Sequence, residues 1–239
     1  MGGTIPYTYT WYETQTNSLI ANTGTSNTLT NQPAGSYYVI VTDAHNITAQ
    51  SISIGITEPE SISITYTTEN IDCNGGNDGK INLNITGGTP GYQYRYKINS
   101  GNYGNWINTV GILNLSNLAA GNYTLQVKDT NECNYMVNGE IGTINVTLTQ
   151  PESLVITDYT ITHPTGYGLS NGSIMVELSG GTPPNTYQWI NLASNQPISG
   201  QTTNNLQNAG AGTYQLTVTD AHGCTITSPS IELTQPQAL

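Results

Sequence analysis

Phenylalanine is absent from this 239-residue sequence, and only four residues are basic: Lys80, Arg95, Lys97 and Lys128. Set against 15 acidic residues, they leave a net charge of −11. Such a chain repels phosphate backbones, which excludes ordinary nucleic-acid binding. Charged residues of both signs make up 8%, where ~25% is usual. The disorder that comes from high charge is therefore excluded too. Leu, Glu, Lys and Arg are too scarce for a helical protein. No window approaches the ~18 consecutive apolar residues of a spanning helix, so no membrane insertion is expected. Met1-Gly2-Gly3 lacks the charged and apolar regions of a signal peptide, and the start reads as a boundary cut into a longer chain.

What is present is β-sheet material. Thr, Ile and 16 Tyr favour strands, while Asn and 26 Gly favour turns. These residues are arranged in a repeat. Gly2-Gly3-Thr4-Ile5-Pro6 returns as Gly87-Gly88-Thr89-Pro90 and as Gly180-Gly181-Thr182-Pro183. An alternating aromatic run follows each: Tyr7-x-Tyr9-x-Trp11, Tyr92-x-Tyr94-x-Tyr96 and Tyr187-x-Trp189. A second block reads Ala34-Gly35-Ser36-Tyr37, Ala120-Gly121-Asn122-Tyr123 and Ala211-Gly212-Thr213-Tyr214, each opening a strand that runs to Asp43, Asp129 or Asp220. Thr57-Glu58-Pro59, Thr149-Gln150-Pro151 and Thr234-Gln235-Pro236 close the units. The aspartates are 86 and 91 residues apart.

This order divides the chain into a shortened first repeat at 1–59, lacking its first two strands, and complete repeats at 60–151 and 152–239. Period-2 alternation in the second repeat predicts strands near 61–67, 79–86, 91–98, 122–128 and 143–149, with one or two short strands between 104 and 117. About seven strands in ~90 residues is the pattern of an immunoglobulin-like sandwich. The expected fold is all-β: tandem immunoglobulin-like or PKD-like sandwiches stacked end to end. Tyr37, Tyr123 and Tyr214 occupy the corner position that begins strand F in such folds. Trp11, Tyr96 and Trp189 fall on strand C, facing the core. Proline at each joint fixes φ and removes a donor, so a stiff rod is expected rather than loosely tethered beads.

Cys73-Asn74-Gly75-Gly76-Asn77-Asp78-Gly79, the Gly-Gly-Thr-Pro turn, Ala120-Gly121-Asn122-Tyr123-Thr124-Leu125-Gln126-Val127 and Asp220-Ala221-His222-Gly223-Cys224 together resemble the SprB-type repeat of very large surface adhesins secreted by gliding Bacteroidetes. The resemblance implies surface display after type 9 secretion and a role in adhesion or gliding. Two positions depart from the pattern: Gly166 replaces the cysteine seen at Cys73, and Ile47 replaces the one seen at Cys133 and Cys224.

Three cysteines leave one without a partner in this chain, and an extracellular setting would allow disulfides. In an immunoglobulin-like unit the A–B loop, which holds Cys73, lies at the opposite end from the F–G turn, which holds Cys133. One strand length, ~20–25 Å, separates those ends, beyond the ~7 Å limit for a bridge. Stacking brings the base of one repeat to the top of the next, which favours Cys73–Cys224 and leaves Cys133 for a cysteine outside this sequence. Three free buried thiols are the alternative.

Calcium is the metal best matched to the available oxygen donors, with Asp72, Asn74, Asn77 and Asp78 facing Asp220 across a joint. Asx-rich loops are usually turns, however, and no EF-hand loop occurs. His45, His163 and His222 lack the paired spacing of a zinc site. Asp43, Asp129 and Asp220 recur without a partner base or nucleophile, so turn formation is expected of them rather than catalysis. Asn-x-Thr/Ser strings at Asn46, Asn84, Asn114, Asn122, Asn145 and Asn171 follow from composition. An isopeptide bond from Lys80 or Lys128 is a remote option.

The leading expectation is a non-enzymatic stalk segment of a cell-surface adhesin, its partners being neighbouring repeats, with surface polysaccharide or a solid substratum as further candidates. A glycan-binding module is the second reading, with Tyr7, Tyr12, Tyr38, Tyr92, Tyr103, Tyr135 and Tyr167 as candidate exposed aromatics. An accessory domain of a secreted hydrolase is the third. No catalytic site or cofactor is expected.

Overall fold

The computed structural model describes residues 2–238. The chain forms two compact units, Met1–Ser61 and Ile62–Leu239. Among the described residues all regular structure is antiparallel β-sheet, as the abundance of Thr, Ile and Tyr dictates.

Met1–Ser61 is one five-stranded sheet. Its strands are β1 (Thr8–Glu13), β2 (Leu19–Gly24), β3 (Gly35–Thr42), β4 (Thr48–Gln50) and β5 (Ile54–Ile56). The order is β2-β1-β3-β4, with β5 also paired to β3. The register sets Trp11 opposite Val39 and Tyr12 opposite Tyr38. Among the described residues of this unit no second sheet covers the first. Its buried apolar residues are accordingly few: Tyr37, Tyr38 and Val39.

Ile62–Leu239 holds two sandwiches. The first comprises β6 (Ser63–Glu69), β7 (Gly79–Thr86), β8 (Tyr92–Ile98), β9 (Ile107–Thr109), β10 (Ile112–Leu118) and β11 (Gly121–Lys128), then a small hairpin of β12 (Met136–Val137) and β13 (Glu140–Ile141), then β14 (Ile144–Leu148). One sheet runs β10-β7-β6 and the other β14-β11-β8-β9. In immunoglobulin notation these are strands E-B-A facing G-F-C-C′, so the topology itself is immunoglobulin-like. Alternation fills the space between them: Ile81, Leu83 and Ile85 from β7 meet Tyr92 and Tyr94 from β8 and Tyr123, Leu125 and Val127 from β11, all buried. Each such side chain contributes roughly 1.5–3 kcal/mol by leaving water.

The second sandwich repeats the plan with β15 (Val155–Thr162), β16 (Gly172–Ser179), β17 (Thr186–Asn191), β18 (Gln196–Pro197), β19 (Asn205–Ala209), β20 (Gly212–Thr219), β21 (Thr225–Thr227) and β22 (Ile231–Leu233). Its sheets are β15-β16-β19 and β18-β17-β20-β21, with β22 also on β20. A separate core forms around Trp189, Ile174, Val176, Leu206, Leu216 and Val218.

The observed strands follow the alternation closely. The predicted strand at 79–86 is β7, and those near 91–98 and 122–128 are β8 and β11. The segment between 104 and 117 supplies β9 and most of the seven-residue β10. The β12–β13 hairpin is an addition that no alternating run announces.

Candidate functional site

Each F–G turn is organised by one aspartate. In the first sandwich of Ile62–Leu239, Asp129 Oδ1 accepts the N–H groups of Asn131 and Cys133, both at 2.9 Å, and Oδ2 accepts that of Thr89 at 2.9 Å. Asp220 does the same for His222, Cys224 and Thr182. Asp43 does so for His45, Ile47 and Thr4. The carboxylate thus ties the F–G turn to the Gly-Gly-Thr turn, which explains why the two blocks recur together. Gly88 and Gly181 hold positive φ, at +59° and +67°, and a Cβ there would meet the Asp129 or Asp220 carboxylate at 3.0 or 3.2 Å. Only glycine gives both the left-handed backbone and the clearance.

Burial alone would raise the Asp129 carboxyl; N–H donation from Thr89, Cys133 and Asn131 outweighs it and holds the group below its ordinary value. Asp220 is likewise lowered, burial being outweighed by donation from Thr182, Cys224 and His222. Asp43 is lowered chiefly by the Thr4 and Ile47 N–H groups. These are turn-forming carboxylates whose lone pairs are occupied.

The joint between the two sandwiches of Ile62–Leu239 brings together polar and covalent contacts from distant parts of the sequence. Cys73, in the loop between β6 and β7, and Cys224, in the turn after β20, are joined by a disulfide with Cα atoms 5.7 Å apart. Beside it, His222 Nδ1 lies 3.2 Å from the Asp72 carbonyl and 3.8 Å from Asp72 Oδ1. The chain between the sandwiches is held from the same loop: Asn74 Nδ2 donates to the Pro151 carbonyl at 2.9 Å, and Gly75 N–H donates to Gln150 Oε1 at 2.8 Å. Asn70 Oδ1 accepts the Thr149 N–H at 2.9 Å. Cys133, by contrast, is exposed and unpaired among the described residues.

The base of the second sandwich keeps much of this apparatus. Gly168 N–H donates to Gln235 Oε1 at 2.8 Å, as Gly75 does to Gln150. His163 Nδ1 accepts the Thr234 N–H at 3.1 Å, as Asn70 does that of Thr149. These clasps were not read from the sequence, although Gly75 and Gly168, like Asn70 and His163, stand the same 93 residues apart.

The six aromatics expected in cores are placed as follows. Trp189, Tyr123, Tyr37 and Tyr214 are buried. Tyr96 is half-buried against the core around Tyr123, their rings 6.1 Å apart, and Trp11 is half-buried with Nε1 lacking a partner. The three corner tyrosines all donate to the carbonyl four residues back: Tyr37 to Pro33, Tyr123 to Ala119 and Tyr214 to Gly210, at 2.8–2.9 Å.

Among the candidate exposed aromatics only Tyr167 is exposed; Tyr7, Tyr12, Tyr103 and Tyr135 are half-buried, the last against the core, and two are buried outright. Tyr92 is buried, its hydroxyl donating to the Gly87 carbonyl at 2.6 Å. Tyr38 is buried by stacking on Tyr12 at 5.2 Å. Of the calcium candidates, Asp78 accepts the Asp72 N–H within the loop and Asn74 presents its amide nitrogen to Pro151 in the chain between the sandwiches, so both are engaged. No group of three or more His, Cys, Asp or Glu converges to hold a metal among the described residues.

The SprB repeat family matches residues 65–102 and 159–194. The chain therefore carries two SprB repeats in tandem. No curated protein sequence matches it. Among solved structures it is similar to the three N-terminal domains of the highly immunogenic outer capsid protein of bacteriophage RB49, at 12% identity and a TM-score of 0.48, over 97% of this chain and 89% of that one. It is also similar to the full ectodomain of mouse nectin-like molecule 4, at 13% identity and a TM-score of 0.33, over 97% and 91%.

Proposed function

Because this chain carries two SprB repeats in tandem, we propose that it is a non-catalytic stalk segment of an extracellular, cell-surface adhesin, whose task is to hold a distal region away from the cell and transmit tension. In this reading it comprises three repeats, at 1–59, 60–151 and 152–239. A disulfide supports an oxidising, extracellular location. Adhesion and gliding are the roles of the family it resembles.

The observation that carries the tension reading is the position of the disulfide. Cys73 and Cys224 are 151 residues apart in sequence. A pull on the two ends of the chain passes through the sulfurs and bypasses everything between them. Both inner strands of each core, β7 with β11 and β16 with β20, lie inside the bypassed loop. Neither core can be drawn out to its full length while the bridge holds.

Single-molecule pulling from the termini tests this. Extended chain spans about 3.3–3.6 Å per residue, so the bypassed loop is worth roughly 50 nm of contour length. The oxidised chain is expected to lack that extension, and a reducing agent to release it. Equal extension in both states would overturn the reading.

A further inference from the structure

Three of the four basic residues gather on the outer face of one sheet. Arg95 and Lys97 on β8 and Lys128 on β11 alternate with the core-facing tyrosines and valines, so they project from the opposite face. The segment between β8 and β9 brings two aromatic rings to the same place. The Arg95 guanidinium carbon lies 4.8 Å from the Tyr103 ring centre and 4.6 Å from that of Trp106. Lys97 Nζ lies 5.2 Å from the Tyr103 ring and Lys128 Nζ 4.6 Å from the Trp106 ring.

Two of these cations have no counter-ion. Lys128 pairs with Glu132, but neither Arg95 nor Lys97 forms an ion pair among the described residues. Arg95 uses only Nε within the protein, donating to Gln126 Oε1 at 2.9 Å. Among the described residues no carboxylate comes within 4.0 Å of either, although Glu132 sits beside them on Lys128. The guanidinium is held by ring faces and one amide, while its terminal nitrogens keep their donors uncommitted. A planar fork of this kind matches a carboxylate bidentately.

The same face differs in the other repeats, while the core-facing residues stay alike. Thr10 and Tyr12 stand where Arg95 and Lys97 do, and in the third repeat Gln188 and Ile190 do. Constant core stripes with a variable outer face are what separates a shared scaffold from an individual surface.

We propose that the Arg95–Lys97 face of the second repeat, with Tyr103 and Trp106, binds an acidic polysaccharide through its sugar carboxylates. Charge complementarity selects this ligand: a neutral glycan makes no use of unpaired cations. The net negative charge of the chain does not forbid it, because at 0.15 M salt charges beyond about 8 Å are largely screened. The proposal is independent of the stalk reading, since pulling reports on the disulfide and not on this face.

Interferometry on immobilised polygalacturonate at 0.15 M salt tests it, with dextran as the neutral control and dextran sulfate as the sulfated one. The folded chain is expected to bind polygalacturonate and not dextran. Arg95→Gln and Lys97→Gln should each weaken binding by roughly tenfold or more, the scale of losing a charge-assisted hydrogen bond. Lys80→Gln removes an equal charge from a different sheet and should leave binding unchanged. Arg95→Lys keeps the charge but loses the fork, and should fall between. Absence of binding to polygalacturonate, equal binding to dextran, or equal weakening by Lys80→Gln would overturn the proposal. Tighter binding to dextran sulfate that Arg95→Lys leaves untouched would overturn the carboxylate assignment. Far-UV circular dichroism of each variant confirms that a loss is not unfolding.

Discussion

Cys73 and Cys224 belong to different sandwiches, yet their Cα atoms stand 5.7 Å apart and their sulfurs are bonded. The bond therefore links two cores that are each complete without it. Its contribution is to the chain that would otherwise separate and unfold. For a loop of this length the chain-entropy model assigns about 5 kcal/mol, as an upper figure because residual structure lowers it. Replacing both cysteines by serine is expected to lower the denaturant midpoint of Ile62–Leu239 while leaving the far-UV spectrum native. Loss of β-structure in that variant would show that the cores depend on the bridge, contrary to their separate hydrophobic clusters.

The turn aspartates predict an acid limb. Asp129 and Asp220 are held below their ordinary value in the folded chain, burial being outweighed by backbone donors. A lowered folded-state pKa contributes stability that is present above the unfolded value, near 3.9, and is lost as pH falls through the folded one. Stability should be flat from neutral pH down to about 5 and then decline. Asp129 is buried, and Asp129→Asn should cost about 1–3 kcal/mol at pH 7 through weakened donor bonds. The same variant should show a shallower decline in acid. Chemical denaturation across pH checks both, and an acid limb of unchanged slope in the variant would contradict the assignment.

Met1–Ser61 makes a separate prediction. Its sheet is a single layer among the described residues, with Leu19, Ile20, Ile54 and Ile56 exposed. Backbone hydrogen bonds in one uncovered layer open more readily than those between two packed sheets. Hydrogen exchange should therefore be faster at Val39 and Ile40 than at Leu125 and Leu216. Equal protection at these four sites would contradict it.

The sandwich plan was legible because its signals are periodic. A buried strand must alternate, so β7 and β11 could be read from apolar residues at every second position. The same parity places Tyr92 with Tyr94 inside, where it cannot serve as an exposed platform. Tyr38 is different: its parity puts it on the outer face, where Tyr12 stacks on it across the register and Asn17 takes its hydroxyl. The aspartates were recognisable as turn formers, but their bonds to Thr4, Thr89 and Thr182 were not. Those contacts cross about 40 residues and leave only a joint recurrence as their trace. The clasps at Gly75 and Gly168 are fainter still, since any residue with an N–H can donate there. The cation–aromatic face depends on how the segment holding Tyr103 and Trp106 folds back, which no local pattern encodes.

Peptide mapping without reduction is the most direct test of a covalent clasp between the two sandwiches. One cross-linked species is expected, joining the peptides that contain Cys73 and Cys224, with Cys133 open to alkylation. A peptide joining Cys73 to Cys133, or all three thiols alkylated without reductant, would contradict it.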